Sequence, residues 1–427
     1  MPAKLPEQAS DDAAQSQSIV ASASQPDAQS NSSGISDAPT LLTIEKALAL
    51  AEQNSPLLRQ GAASVERARA GIQTARAYTN PTVVFLAGHQ SARPVATPGV
   101  PGFLQHYSAG QTIEIPGERR SRIRAAQLEL TGDAFQLAGI RLSVMANVQR
   151  AFYDVLRRKE QLANAKANFG LVEDLRRRVG IEVQVGEKGK LELTRAEAEL
   201  ARARAAVNSA EVELASSRAI LKAVIGIPSE ENPEPQGVLD HRAQLAPLDE
   251  LRRQVLETHP ALSESTARTA QAQEIVTHER TRRIPEPNLS GEYERQPDQT
   301  FFRFGITVPL PLWDKRKGPI AEAQAEVTRS RAISSQRKLE IMAALERAYD
   351  QYQITDQQVQ GLQAGSLREA QAAVDAASSA YRFGERGIVE VLDAQRVLQG
   401  VRTDLLDALF ARQSALIDLE ELGAVRP

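Results

Sequence analysis

Cysteine is absent from the 427 residues. Its absence excludes disulfides, thiolate metal sites and a lipid-modified N-terminal cysteine. Aromatic residues make up only 4%, too few for thick aromatic cores and in keeping with long helices. No apolar run approaches the ~18 residues that a membrane-spanning helix needs, so any contact with a bilayer must be made by strands. The net charge of -3 is spread without a basic block, so nucleic acid is not an expected partner. Phosphate-cradling glycine loops, HExxH and GxSxG are missing, which leaves no catalytic constellation and no cofactor to expect. Of the five histidines, His241, His259 and His278 show no ligand spacing, and a metal site is conceivable only between His89 and His106. His89 and His106 share one hairpin, but lone strand histidines are more often polar packing or loop residues than ligands. With no Cys and three Met, soft ligands are lacking, and metal selectivity is expected to reside in partner proteins.

What the chain does have is a duplication. Val185-Gly186-Glu187-Lys188-Gly189-Lys190-Leu191-Glu192-Leu193 recurs as Phe383-Gly384-Glu385-Arg386-Gly387-Ile388-Val389-Glu390-Val391. Pro56-Leu57-Leu58 recurs as Pro260-Ala261-Leu262, and the run from Tyr107 to Pro116 recurs from Phe302 to Pro311. The echoes keep a nearly constant separation, which makes the chain two copies of one unit.

Residues 1–40 are rich in Ser, Ala, Gln and Asp, lack the apolar core of a signal peptide, and read as a disordered tail. The first copy covers 41–228, a Pro-rich linker 229–247, the second copy 248–424, and 425–427 form a short tail. Helical periodicity gives two short helices at the start of each copy, with Thr43 as an N-cap and Asn80-Pro81 as a stop. The period then falls to two. Strands are expected at 82–90 and 103–115, and again at 288–296 and 301–310. Long antiparallel helices follow at 118–179 and 191–225, then at 319–382 and 388–422, with Ala-rich seams (Ala196, Ala198, Ala201, Ala203 and Ala205, then Ala323 and Ala325) that permit close approach. Gly186, Gly189, Gly384 and Gly387 are expected to reverse the chain between helices, with positive φ. Pro116, Pro311 and Pro319 mark places where strand gives way to helix. Trp313 stands at such a junction, either as an anchor at headgroup level or as packing below the strands.

In the second copy Phe302, Phe304, Ile306, Val308 and Leu310 alternate with Arg303, Gly305 and Thr307. That pattern suits a transmembrane β-strand, and equally a half-buried hairpin in a soluble domain. Four such strands cannot close a barrel, and open edges cannot face lipid. If they span, several copies must share one barrel; three chains would give twelve strands, with their long helices forming a tube below.

The run Tyr381-Arg382-Phe383-Gly384-Glu385-Arg386-Gly387-Ile388-Val389-Glu390-Val391-Leu392-Asp393-Ala394-Gln395, with its twin near Gly186, resembles the tip of the outer membrane factor (TolC-like) family of tripartite efflux pumps. Ile115-Pro116-Gly117-Glu118-Arg119-Arg120 and Val308-Pro309-Leu310-Pro311-Leu312-Trp313-Asp314 resemble most the members that serve heavy-metal cation pumps of the cobalt-zinc-cadmium or nickel-cobalt class. The resemblance implies a homotrimer with a barrel in the outer membrane and a helical tunnel in the periplasm. It also implies a passive, non-enzymatic exit duct joined by a periplasmic adaptor to an inner-membrane, proton-driven RND pump. At the tip it implies that Tyr381 and Arg386 tie neighbouring helix pairs shut against Glu192. It further implies that Glu390 and Asp393 ring the mouth, where three-fold carboxylates would favour cations. A duct for drugs or secreted polypeptide shares these features. A soluble coiled-coil scaffold is the reading of another class, and it has no use for the alternating strands.

Overall fold

The computed structural model describes residues 40–91, 102–228, 233–297 and 299–425. The expected tail at 1–40 lies outside them except for Thr40, as do the Pro/Gly loop at 92–101, residues 229–232 of the linker and the last two residues.

Both copies follow one plan. The first runs through β1 (Thr40–Leu42), α1 (Ile44–Asn54), α2 (Pro56–Arg76), β2 (Thr82–Gln90), β3 (Gly102–Thr112), α3 (Pro116–Gln184) and α4 (Lys190–Ile225). β4 (Pro233–Pro235) follows in the linker. The second copy runs through α5 (Leu248–Thr258), α6 (Pro260–Thr281), β5 (Asn288–Arg295), β6 (Thr300–Thr307), α7 (Lys317–Gly361), α8 (Leu367–Arg382) and α9 (Ile388–Glu421). Thr43 caps α1 by accepting from Lys46 N, and Ser55 caps α2, which opens on Pro56. α3 is 69 residues long, or about 100 Å at 1.5 Å per residue. It begins two residues earlier than expected, because Pro116 occupies the first helical position, where a missing N–H costs nothing.

Several boundaries differ from expectation for identifiable reasons. β6 stops at Thr307 rather than 310, since Pro309 has no N–H to give a ladder. β3 stops at Thr112, although Ile113 N still donates to Pro287 O at 2.9 Å. α7 starts at Lys317, so Pro319 lies within its first turn rather than at its head. The linker contains a strand that sequence reasoning passed over: β4 pairs in parallel with β1, Thr40 opposite Pro233 and Leu42 opposite Pro235. Of the Ala seam, Ala196, Ala203 and Ala323 are buried within the protomer, while Ala198, Ala201, Ala205 and Ala325 stay exposed.

The expected single helix over 319–382 is interrupted by a π-helical turn, Leu362–Ser366. Its cause is a slip in the heptads. Buried Leu345, Tyr352 and Val359 recur every seven residues along α7. Beyond the π turn the line continues at Leu367, Val374 and Tyr381, again every seven. Eight residues separate Val359 from Leu367, so one residue is surplus, and a wider turn absorbs it while both segments keep their buried face. The first copy has no such slip: Ala151, Val172 and Val179, all buried, differ by multiples of seven within one unbroken helix.

The two hairpins lie side by side in a four-stranded antiparallel sheet of order β2-β3-β5-β6, leaving β2 and β6 as open edges. One face carries a row of rings across every strand: Phe85, Tyr107, Tyr293 and Phe302. Successive centroids are 4.8, 6.0 and 4.9 Å apart, each contact worth about 0.5–1.5 kcal/mol beyond simple burial. Val83, Ala109, Leu289, Phe304 and Ile306 extend this face, and Phe304 is 90% exposed. The opposite face bears His106, Ser108, Glu292, Glu294 and Arg303, with Arg303 paired to both glutamates.

The main cores lie below the sheet. Leu42, Ala47, Val148, Phe152, Leu221, Ile225 and Leu409 join β1 and α1 to α3, α4 and α9. Leu251, Val255, Leu345, Tyr352, Leu416 and Leu419 join α5, α7 and α9. Between them sits a charged cluster. Buried Arg412 of α9 bonds Asp356 of α7 at 3.0 Å and Asp240 of the linker, and Gln363 of the π turn donates to Asp240 at 3.1 Å.

Candidate functional site

The two helix-turn-helix tips share one backbone geometry. Helices α3 and α8 end on Val185 (φ -84, ψ 0) and Phe383 (φ -86, ψ 1), and the next residues, Gly186 and Gly384, take φ of 83 and 76. Glu187 N bonds Glu182 O at 2.9 Å, and Glu385 N bonds Ala380 O at 3.0 Å. This is the six-to-one closure that a left-handed glycine permits. The expectation of positive φ fails for Gly189 and Gly387, which are extended N-caps of α4 and α9 with φ of -82 and -83. A residue before a helix needs β-region backbone, not the left-handed one.

The tips meet in a small core of their own, made by Leu175, Val179, Ala196, Tyr381, Ile388, Val391 and Leu392. Tyr381 is buried in it. Its hydroxyl donates to Glu182 Oε2 at 2.5 Å, and Lys188 Nζ lies 5.5 Å from the ring centroid. Burial first, then the bond to Glu182 and the charges of Glu182 and Glu192, push the phenol far above its ordinary range, so it stays a donor throughout the physiological range.

Within one protomer the acceptor of Tyr381 is therefore Glu182, not Glu192. Tyr381 projects onto the last turn of α3, where Glu182 stands, whereas Glu192 belongs to the first turn of α4. Glu192 Oε2 is buried without a hydrogen-bond partner among the described residues. Arg386 is exposed and makes no ion pair among the described residues. Glu390 occupies the first turn of α9, the position its twin Glu192 holds in α4, and a carboxylate there suits the helix dipole. Asp393 is exposed and bonds Arg396 at 3.1 Å, and Arg396 reaches across to Glu199 of α4 at 2.6 Å. The structure thus brings Tyr381 and Glu192 into one buried neighbourhood, and leaves Arg386, Glu390 and Asp393 on the surface.

Sequence reasoning missed Glu182 and the Arg396–Glu199 tie. Glu182 has no counterpart in the other copy, where Ala380 stands, so the repeat could not reveal it. Above the tip, a groove of about 650 Å³ of mixed character lies between α3, α4 and α9, lined by Asn164, Val172, Glu199, Ala203, Leu392 and Arg396 among others.

At the other end, Pro116 opens α3 directly, Pro311 lies in an exposed stretch between β6 and α7, and Trp313 is 92% exposed. No packing below the sheet holds Trp313 among the described residues. His89 and His106 point to opposite faces of their hairpin, since the register sets His89 against Phe103 and His106 against Leu86. No group of three His, Cys, Asp or Glu able to hold a metal ion occurs among the described residues. Nor is any described helix long and apolar enough to cross a membrane.

The pattern of the family described as "Outer membrane efflux protein" matches residues 47–227 and 251–424. The chain is 26% identical over 386 residues to the cobalt-zinc-cadmium resistance protein CzcC of Cupriavidus metallidurans, covering 89% of this chain and 90% of that protein. It is 26% identical over 323 residues to the nickel-cobalt-cadmium resistance protein NccC of Alcaligenes xylosoxydans xylosoxydans, covering 74% and 71%. The crystal structure of the Campylobacter jejuni CmeC outer membrane channel superposes with a TM-score of 0.78 at 17% identity, covering 89% of this chain and 85% of that one.

Proposed function

This chain belongs to the outer membrane efflux protein family, and from that membership we infer that three copies close one 12-stranded barrel over a shared helical tunnel. It is an outer membrane channel with a periplasmic extension, a passive conduit and not an enzyme. The observation that carries the trimer is the sheet. Four strands with an exposed apolar face and two unpaired edges are stable in lipid only if sister strands complete the ladder. The conduit serves a tripartite system, with a periplasmic adaptor and a proton-driven RND pump in the inner membrane.

The cargo is a heavy-metal cation of the cobalt, zinc, cadmium or nickel class. Support comes from the two metal-resistance relatives, which match the chain over most of its length. A duct for drugs or polypeptides would share the geometry. A strain lacking this gene, complemented with the intact gene beside its pump and adaptor, decides between them. Restored tolerance to cobalt, zinc, cadmium or nickel is expected; restored tolerance to drugs alone would overturn the metal reading.

The tip works as a latch. Tyr381 and Glu182 tie the second helix pair to the first inside each protomer, while Arg386, exposed and without an ion pair among the described residues, is available to a carboxylate of a neighbouring copy. Glu390 and Asp393 would then ring the mouth. Tyr381→Phe removes a hydrogen bond to a charged acceptor, about 1.5–3 kcal/mol, and Arg386→Ser removes the cross-protomer tie. Both variants are expected to raise single-channel conductance in planar bilayers, and unchanged conductance in both would discard the latch.

A further inference from the structure

We propose that the segment from Val308 to Lys317 is a membrane-interface collar that binds anionic phospholipid headgroups of the periplasm-facing leaflet, once per protomer. The proposal rests on the reading of the sheet as membrane-spanning.

The apolar alternation of β6 does not stop where the strand does. Phe302, Phe304 and Ile306 lie on the apolar face, and Val308, Leu310 and Leu312 continue the same alternation, all exposed, with Trp313 at the end. After Thr307 this stretch has no strand partner among the described residues. Apolar side chains with neither sheet nor core to cover them need another apolar phase, and the strand they follow carries the face that fits lipid.

The segment is held in this pose. Leu312 N bonds Leu310 O at 2.9 Å, Arg283 Nε donates to Lys315 O at 3.2 Å, and Arg316 N donates to Asp314 Oδ1 at 2.7 Å. The Arg316 guanidinium is engaged by Glu279 of α6, with Nε 3.1 Å from Oε2. Arg316 takes a φ of 53, the left-handed region that side chains other than glycine rarely adopt. A loop pinned at such a cost presents its remaining groups in a fixed order. The leucines come first, then the indole, then Lys315 and Lys317, both exposed and without a carboxylate partner among the described residues. That order matches the depth profile of a leaflet: acyl chains, the glycerol region favoured by Trp, then phosphate. The first copy has nothing comparable, because Pro116 passes straight into α3.

The chain contains one tryptophan beside seven tyrosines, so emission excited at the red edge, where tyrosine does not absorb, reports this segment alone. In phosphatidylcholine vesicles containing phosphatidylglycerol, Trp313 emission is expected to shift to the blue and lose access to aqueous acrylamide. Bromines placed high on the acyl chain should quench it more than bromines near the chain end. Brominated phosphatidylglycerol should quench more strongly than brominated phosphatidylcholine, with about a fivefold local enrichment for each lysine. Lys315→Gln with Lys317→Gln should abolish that difference while the blue shift remains. Equal quenching of the unaltered protein by both lipids would overturn the headgroup selectivity, and an indole open to acrylamide in vesicles would overturn the collar. Vesicle flotation and bilayer conductance report insertion independently. An inserted, conducting protein with a water-exposed indole defeats this proposal alone, whereas failure to insert defeats the duct as well.

Discussion

At the scale of the residue, the tip glycines separate into two kinds that the sequence writes identically. Gly186 and Gly384 hold positive φ, and a side chain there meets its own carbonyl. Gly186→Ala and Gly384→Ala should each cost about 1–2 kcal/mol. Gly189 has open space around the place a Cβ would occupy and a backbone that suits a capping serine. Gly189→Ser should therefore leave stability unchanged or slightly raised. Thermal unfolding of the detergent-solubilised protein, followed by far-ultraviolet circular dichroism, checks the contrast; equal losses at 186 and 189 would contradict it. The turns themselves were legible because the motif occurs twice. The sign of φ was not, since a glycine after one helix and a glycine before the next look alike in sequence.

Two histidines make the fold sensitive to acid. Burial, more than any neighbouring charge, lowers the pKa of His259, whose Nδ1 accepts from Ala261 N at 3.1 Å, and of His278, which sits by Ser121 and Glu118. In the unfolded chain both titrate near 6.5. The folded chain resists their protonation, so their contribution is intact above that value and is lost as pH falls through the depressed folded pKa. Unfolding temperature should decline from about pH 8 to about pH 5, and His259→Asn with His278→Gln should flatten the decline. An acid limb unaltered by the double variant would place the sensitivity elsewhere.

At the scale of the element, the surplus residue between Val359 and Leu367 gives a sharp test. Deleting exposed Ala364 should convert the π turn to ordinary helix while Leu367, Val374 and Tyr381 stay on the packed face. Deleting exposed Ala372 instead turns Val374 and Tyr381 by about 100° away from α9. The first variant should keep the unfolding temperature within a few degrees, and the second should lose the tip core. Comparable damage from both would refute the skip. The eight-residue gap stands in the sequence, yet a period read over some sixty residues averages one insertion away. β4 was hidden for a different reason. Pro-Glu-Pro carries two residues without N–H groups, which argues against a strand, and only an edge pairing such as that with Thr40–Leu42 tolerates them.

At the scale of the whole molecule, the duplication was the most legible feature, and it brings the rest with it. It set two hairpins and two helix pairs, and the sheet order β2-β3-β5-β6 places the hairpins together as the repeat demands. What it could not supply was the bonding between the copies, such as Tyr381 to Glu182 or Arg412 to Asp240 and Asp356, because contacts between non-equivalent surfaces leave no echo. The open sheet calls for sister strands, and the proposed number is three. Native mass spectrometry after detergent release should find three times the 46.5 kDa of one chain, and a persistent single-chain mass would remove the shared barrel.

The row of rings ends on Phe85 at one rim of the sheet and Phe302 at the other. A sister strand docking on either side must choose a parity. An even displacement leaves its aromatics on the oily exterior; an odd one turns them toward Glu292, Glu294 and Arg303. In the proposed shared barrel, those two phenylalanines would act as a proofreading mark against misaligned assembly, and both stand in place before any neighbour arrives.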